Sequence, residues 1–385
     1  MAKKRRKQNK KTEVKRLSLD KLSSNEKTHL DAIIQDYIGF LGSARTPHET
    51  VEKVVEIVID KGFVDGFSNS VKKEEGKTGL YFVNEDHSNF ALVKFPKADA
   101  KEIETGMNFL GAHVDSPCLT AKMHPIIEAP EGVTLDLIPY GGFFNYHWID
   151  ADVKIIGRTM KNGNVKNFEF RAVIPDVTVH IGRKIRKGDI NTAIPAESLD
   201  AYTGYRSKKQ FLEYLKTHGL EEKDLCRSTL HVVPAFSPYL MPGNEMVAGY
   251  GHDDRVCCYA QVLAMLAAEP KKTSMVLGFD REEIGSTGFT GAISNFTETV
   301  VDRTLEISNG LTLSDITDAM IRKTFRKSIM ISADVDIAYD SLGSSSADEK
   351  NAVKYGDGIA IVRHNGSGGQ YSGNNASMHL MDQLM

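Results

Sequence analysis

Two segments of this chain are continuously apolar over the length of a β-strand: SMVLGF at 274–279 and SIMISA at 328–333. Strands with one solvent-exposed face alternate apolar and polar residues, whereas buried parallel strands are unbroken apolar runs. A further segment, MNFLGA at 107–112, reads as a strand that delivers His113 at its end. The sequence therefore predicts an α/β fold with a mixed, mostly parallel sheet flanked by helices.

Helix start signals near the N-terminus support this layout. Ser23 and Glu26 have the spacing of a capping box, and apolar residues recur behind them at helical spacing. Residues 46–49 (TPHE) predict a second helix, with Pro at its first position and Glu three residues after the cap. This segment does not begin an HExxH zinc helix, because residue 52 is Glu.

The middle of the chain has a different sequence pattern. Short strand-like segments separated by Gly, Asn and Asp turns occur there, with a polar helix near 207–217. We therefore predict an inserted, β-rich domain at 118–236. It would interrupt a catalytic α/β domain made of 17–117 and 237–385. The strand-like segments are 133–138, 152–157 and 168–174.

Charge is distributed unevenly along the 385 residues. Residues 1–16 carry nine Lys or Arg and one Glu, a net +8, so the total of −3 leaves −11 on the rest. The basic segment is expected to be a disordered tail or, alternatively, an electrostatic handle for a polyanion. The acidity of the remainder argues against nucleic acid as the main substrate.

Cysteine usage and hydropathy bear on the compartment. None of the four cysteines forms a CxxC pair, which fits free thiols in a reducing environment. The sequence contains no apolar run of 18 residues, so it predicts no membrane-spanning helix. The charged N-terminus is not followed by the apolar region of a secretory signal. We therefore predict a cytoplasmic protein.

Acidic and histidine motifs follow the predicted strands. His113-Val114-Asp115 ends one strand, and residues two apart in a strand point to the same side, so Asp115 could hold the second ring nitrogen of a metal-binding His113. Glu282 and Glu283 follow 274–279, and adjacent glutamates at a strand's end are costly unless they are solvated or bind cations. One could bind metal while the other takes a proton from water.

Two further motifs complete the set. His252-Asp253-Asp254-Arg255 (HDDR) lies at the start of a helix predicted over 254–268. A carboxylate there could bridge two metals, and we choose Asp253 for this role. The alternative is that the Asp only caps the helix N-terminus. Asp334 follows 328–333. Each motif alone is more often structural, but four of them in this order predict a metal site. One imidazole with carboxylates and no thiolate suits Zn²⁺, Mn²⁺ or Co²⁺.

These motifs together resemble one family. GAHVDSPCL (111–119), GHDDRV (251–256), FDREEIGS (279–286) and SADVD (332–336) are similar to segments of the aspartyl aminopeptidase and vacuolar aminopeptidase I family of zinc peptidases, across roughly residues 25–375. The resemblance implies a metalloaminopeptidase that acts on peptides with two zinc ions per subunit. It also implies a catalytic α/β domain interrupted by a β-rich dimerisation domain, and hence a homo-oligomer.

The resemblance also implies roles for individual residues. His113 would bind one zinc, Asp253 would bridge both, Glu283 would bind the second and Asp334 would share the first. Glu282 would be the general base, and Asp115 would orient His113. IPDVTVHIGR (174–183) resembles a segment whose histidine reaches a neighbouring subunit's active site; His180 matches it, with an ordinary sheet histidine as the alternative.

The end of the sequence departs from the family pattern. Members supply a last His ligand well after the Gly-rich segment seen here at 366–369, and this sequence stops at Met385 before that part. His379 lies in a superficially similar Ser-Met-His, but too close to Asp334. We therefore expect a weaker second metal site and exposed apolar surface beside 328–333 and 358–363. The alternatives are another exo-hydrolase on the same site, such as a carboxypeptidase or N-deacylase, or an inactive truncated homologue.

Overall fold

The computed structural model describes residues 22–98, 101–189, 192–339, 352–356, 358–363 and 376–384. The basic segment 1–16 and the Gly-rich segment 366–369 lie outside these residues. The chain divides into two compact units, one of residues 36–334 and one that combines 1–35 with 335–385.

The helices, strands and short 3₁₀ turns have the following bounds. The helices are α1 (Ser24–Ser43), α2 (Pro47–Asp60), α3 (Lys73–Thr78), α4 (Glu102–Thr105), α5 (Val179–Ile185), α6 (Lys208–Thr217), α7 (Glu222–Leu225), α8 (His252–Ala267), α9 (Phe296–Asn309), α10 (Asp318–Lys327) and α11 (Met378–Leu384). The strands are β1 (Val64–Asp65), β2 (Leu80–Val83), β3 (Phe90–Lys94), β4 (Asn108–His113), β5 (Cys118–Ala129), β6 (Gly132–Tyr140), β7 (Ala151–Lys161), β8 (Asn164–Ile174), β9 (Ala201–Tyr202), β10 (Thr229–Pro234), β11 (Tyr239–Leu240), β12 (Val247–Ala248), β13 (Ser274–Phe279) and β14 (Ile329–Ser332). The 3₁₀ turns are Asn145–Trp148, Ala196–Ser198, Glu282–Ile284 and Leu313–Asp315.

Both helix starts expected from the sequence are present. The Ser23 backbone N–H donates to Glu26 at 2.8 Å, and the Glu26 N–H donates to the Ser23 hydroxyl at 3.3 Å. Thr46 caps α2 in a complete capping box with Glu49, and Pro47 occupies the first turn. Reciprocal bonds of this kind satisfy backbone donors that a helix N-terminus leaves free.

A six-stranded sheet organises the larger unit. Its strand order is β1-β2-β3-β13-β4-β14. β4 lies between β13 and β14 and is parallel to both, while β3 is antiparallel to β2 and β13. The expected mixed, mostly parallel sheet is confirmed. Its central strand β13 is buried from Met275 to Phe279, which explains the unbroken apolar run.

Helices cover this sheet. Val300, Val301 and Leu305 of α9 are fully buried and belong to the same apolar cluster as the sheet residues Leu80, Met275 and Leu277. From α8, the Gln261 amide donates to the Gly111 carbonyl at 2.9 Å and so ties that helix to β4. Burial of these apolar side chains is the main term that stabilises the layer.

The second sheet of the same unit is a closed barrel with the order β10-β5-β6-β9-β8-β7, in which β7 pairs with β10. Its core is a separate apolar cluster that includes Leu135, Val153 and Trp148, the chain's single tryptophan. α6 lies where the polar helix was expected and contributes the buried Phe211 and Leu215. The β-rich region is therefore present, and the domain boundaries at 118 and 236 stay predictions.

The smaller unit has little regular structure in its described part. It contains the first turns of α1, an isolated bridge between Ala338 and Val353, and α11. Ile359 and Ile361 are exposed, as are Met330 and Ile331 of β14 in the larger unit. No helix within the described ranges is long and apolar enough to cross a bilayer.

Candidate metal centre

Three parallel strands deliver the predicted motifs to one edge of the sheet. In the strand register Phe279 pairs with His113, and Ser332 pairs with Gly111, so β4, β13 and β14 end together. Because the carboxyl ends of parallel strands meet at one edge, His113, the segment 280–283 and Asp334 converge there. Ligand sites of open α/β sheets lie at this edge.

His113 lies at the middle of the cluster. Its side chain is 4% exposed, and its Nε2 lies 3.0 Å from Asp253 Oδ1, 3.5 Å from Asp334 Oδ1 and 3.9 Å from Glu282 Oε2. Those three carboxylates are about half exposed, whereas the ring is enclosed. The buried imidazole thus faces a group of acids that open towards solvent.

The potential ligand atoms fall into three overlapping sets, each with members within 4.8 Å of one another. His113 and Asp253 join Glu283 in one set, and His113 joins Glu282 and Asp334 in another. The third set contains Asp253, Asp254 and Asp334. Overlap of this kind provides more donors than one tetrahedral ion requires.

Asp115 contacts His113 on the ring nitrogen that faces away from the other acids. It is 1% exposed, and its Oδ1 lies 3.3 Å from His113 Nδ1. The backbone N–H groups of Glu282 and Glu283 donate to its two oxygens, each at 3.2 Å. The Asp115 backbone carbonyl oxygen lies nearer to His113 Nδ1, at 3.1 Å. The carbonyl and the carboxylate of one residue thus together fix the orientation and tautomer of the His113 ring.

The acids raise each other's pKa. Burial, together with Asp253, Asp115 and Glu282, raises the pKa of Glu283 to about 8. Burial raises the pKa of Asp254 to about 7, and Asp334 adds to that rise. Crowded carboxylates resist simultaneous ionisation, and a divalent cation among them removes this penalty.

The imidazole shows the converse effect. Burial alone would lower the pKa of His113, but bonds to Asp115, Asp253 and Asp334 outweigh it and raise the pKa far above its usual range. The cause of this rise is the negative potential of the surrounding carboxylates, and the same potential favours a cation at Nε2.

The donor set fits zinc. Zn²⁺ binds His nitrogen and Asp or Glu oxygen, and the sets here contain one imidazole with carboxylates. The Asp115 contact to His113 Nδ1 leaves Nε2 directed at the acids. The chemistry of these residues therefore fits zinc.

A buried arginine holds the loop that carries Asp253. The Arg255 side chain is fully buried and donates to the Ser116 hydroxyl at 2.7 Å and to Thr50 Oγ1 at 3.2 Å. Ser116 in turn donates to the Asp253 carbonyl at 2.5 Å. Gly251, at φ +82°, leaves the space that the guanidinium occupies. Arg255 of the HDDR motif thus holds Asp253 of the same motif in place through Ser116.

The structure brings together most of the residues proposed from the sequence. His113, Asp115, Asp253, Glu282, Glu283 and Asp334 converge, although their individual roles stay predictions. His180 is exposed on α5, so the alternative of a sheet histidine is wrong. His379 lies in α11, where its Nε2 is 3.1 Å from the Gln383 amide.

Sequence reasoning missed two neighbours of the centre. Asp254 is fully buried and accepts a 3.3 Å bond from the His113 backbone N–H. Tyr140, at the end of β6, donates from its hydroxyl to Asp115 Oδ2 at 2.8 Å. The second Asp of HDDR was a visible signal for Asp254, whereas no local pattern links Tyr140 to a carboxylate 25 residues earlier.

Comparison with known proteins gives a family and relatives. The profile of the family described as aminopeptidase I zinc metalloprotease (M18) matches residues 40–385. A probable M18 family aminopeptidase 1 of Thermotoga maritima is 30% identical over 380 residues, 93% of this chain and 81% of that protein. One of Borreliella afzelii is 33% identical over 389 residues, 94% of this chain and 82% of that protein.

Solved structures share the fold. The crystal structure of an M18 aminopeptidase from Thermotoga maritima has a TM-score of 0.83 at 28% identity, and the match covers 94% of this chain and 82% of that one. The mApe1 dodecamer of S. cerevisiae has a TM-score of 0.66 at 21% identity, with 85% and 76% covered, so it supports the fold alone.

Proposed function

Because this chain belongs to the M18 family of aminopeptidase I zinc metalloproteases, we propose that it removes N-terminal residues from peptides at a centre of two zinc ions. The observation that carries the proposal is the convergence of His113 with five acidic residues in overlapping sets at one sheet edge.

The roles proposed for the ligands are those that the resemblance to the family implies. His113 and Asp334 would hold one zinc, Glu283 would hold the other, and Asp253 would bridge them. Asp253 belongs to two of the sets, one with Glu283 and one with Asp334, and this supports its role as the bridge. Zinc, when bound, supplies a Lewis acid that lowers the pKa of water and polarises a carbonyl oxygen.

Glu282 is the proposed general base. Its side chain is 45% exposed, so it can reach a water molecule, and its Oε2 lies 3.9 Å from His113 Nε2. Burial and the neighbours Asp334 and Asp115 raise its pKa. A carboxylate with a raised pKa is a stronger base towards water than an ordinary one. The bond from its backbone N–H to Asp115 fixes the base beside the metal.

The negative charge of the centre favours binding of the N-terminus of a peptide over binding of its C-terminus. Six carboxyl groups surround His113, and within the described chain no Lys or Arg pairs with Asp253, Glu282 or Glu283. Two divalent ions would leave the surroundings acidic. Such a site attracts an α-ammonium group and repels the free carboxylate that a carboxypeptidase must bind.

We also propose that the chain forms a homo-oligomer through the barrel. Apolar side chains are exposed on its surface around α5 and the preceding segments: Phe144, Tyr146, Val173, Val179 and Ile181. Exposed apolar patches of this kind mark protein interfaces. His180 lies among them and would reach the neighbouring subunit's site.

Glu282→Gln tests the assignment of the base. We expect turnover on aminoacyl anilides to fall roughly 10²–10⁴-fold, since general-base catalysis contributes that much. The zinc content should stay at the wild-type value, because Glu282 is proposed to contact water. Turnover and zinc by atomic absorption are measured on the same sample.

Glu283→Gln is the matched control, because it makes the same change one residue away at a proposed ligand. It should lose zinc as well as activity. Near-normal turnover in Glu282→Gln with full zinc would contradict the assignment. Wild-type protein that cleaves N-acyl amino acids or C-terminal residues in preference to aminoacyl anilides would favour the deacylase or carboxypeptidase alternative.

A further inference from the structure

The Asp115 carboxylate is shared between the sheet and the barrel. On the sheet side it contacts His113 Nδ1 and accepts the N–H groups of Glu282 and Glu283. From the barrel it accepts the Tyr140 hydroxyl at 2.8 Å, the shortest of these contacts. Asp115 is 1% exposed, so water does not replace a partner that is lost.

Strand pairing explains why Tyr140 reaches this carboxylate. Tyr140 is the last residue of β6 and pairs with Cys118, the first residue of β5, only three residues after Asp115. The next residue, Gly141, has φ +78°, and a Cβ there would lie 3.1 Å from the Glu283 Cβ. The backbone that follows β6 therefore lies close to the glutamate segment at this point.

We infer that Tyr140 is a positioning residue of the metal centre, which acts through Asp115 on the His113 ring and on the Glu282–Glu283 backbone. The Tyr140 hydroxyl fixes one carboxylate oxygen, and this sets the direction of the other towards His113 Nδ1. Without it, that oxygen keeps only the 3.2 Å bond from the Glu283 N–H. This inference rests on the proposed zinc centre.

The chemistry of the contact supports this role. A hydroxyl that donates to an ionised carboxylate forms a bond roughly twice as strong as a neutral pair. Partners that orient metal ligands typically change metal affinity or activity about 10–100-fold when removed. The Tyr140 hydroxyl already donates to Asp115, so its donor is not directed at a substrate.

Tyr140→Phe tests the inference, because it removes one oxygen and keeps the ring. We expect kcat to fall about 10–100-fold with little change in KM. The visible absorption spectrum of the Co²⁺-substituted protein should also change, since it reports ligand geometry. Tyr202→Phe is the matched control: it removes a barrel hydroxyl that donates to Glu131 at 3.2 Å, away from the centre. It should leave both readouts at wild-type values.

A double substitution separates positioning from simple stabilisation. If Tyr140 acts through Asp115, then Tyr140→Phe in an Asp115→Asn background should change kcat by less than about twofold, because coupled sites are not additive. Additive losses, an unchanged cobalt spectrum or a rise in KM alone would overturn the inference. Wild-type protein without zinc or turnover would instead overturn the proposed function. Normal wild type with a normal Tyr140→Phe would remove this inference only.

Discussion

Replacement of Gly251 by Ala should destabilise the protein more than its backbone conformation alone requires. Gly251 has φ +82°, and a Cβ built there would lie 1.8 Å from the Arg255 Nη1 atom. Gly204 has nearly the same φ, +80°, but a Cβ there meets nothing within 4 Å. The pair Gly251→Ala and Gly204→Ala therefore separates backbone strain from displacement of the guanidinium.

The magnitude follows from the contacts. A left-handed conformation costs a non-glycine residue about 1–2 kcal/mol, and both variants carry this term. Gly251→Ala also displaces Arg255 Nη1 from the Ser116 hydroxyl, at 2.7 Å. A hydrogen bond to a charged group contributes about 1.5–3 kcal/mol. We therefore expect about 2.5–5 kcal/mol for Gly251→Ala, against about 1–2 kcal/mol for Gly204→Ala.

Urea unfolding followed by far-UV circular dichroism measures both variants. A chelator should be present throughout, because bound metal stabilises the folded state and would obscure the difference. In the metal-bound protein Gly251→Ala should also lose zinc, since Ser116 holds the Asp253 carbonyl. Equal destabilisation by the two variants would show that Arg255 does not occupy the space beside Gly251, and would refute the reasoning.

Two further predictions concern the barrel. Burial would raise the pKa of Asp224, but bonds from Lys161 and Arg227 lower it to about 2. The wild type should therefore have a larger free energy of unfolding than Asp224→Asn, with the full difference above about pH 4 and a smaller difference towards pH 2. Acid titrations in which the full difference persists at pH 2 would contradict this. His180→Ala should lower turnover without zinc loss, and mixing it with Asp253→Ala subunits should partly restore activity; no restoration in the mixture would exclude a shared site.

The sequence predicted the sheet and the meeting of its motifs because both depend on local patterns. Unbroken apolar runs identify buried strands, and acids that follow parallel strands must share an edge. Asp254 was harder, since an acid before a helix is usually a cap, and only tertiary packing shows that it is buried against the His113 backbone. Tyr140 depends on the register of β5 with β6, which no local signal specifies. His180 lies in the short helix α5, which follows the end of β8 in the chain.

Trp148 makes the two cores of the larger unit optically distinguishable. It is the chain's single tryptophan, 5% exposed, with its ring centroid 5.4 Å from that of Phe143 in the barrel cluster. The sheet cluster, in the part of the chain that the structure describes, contains no indole. Fluorescence excited at the red edge of the tyrosine band therefore follows the barrel alone, whereas ellipticity averages over both layers. Coincident denaturation curves from the two signals would mean that barrel and sheet unfold as one cooperative block; curves that separate would resolve the order in which the layers melt.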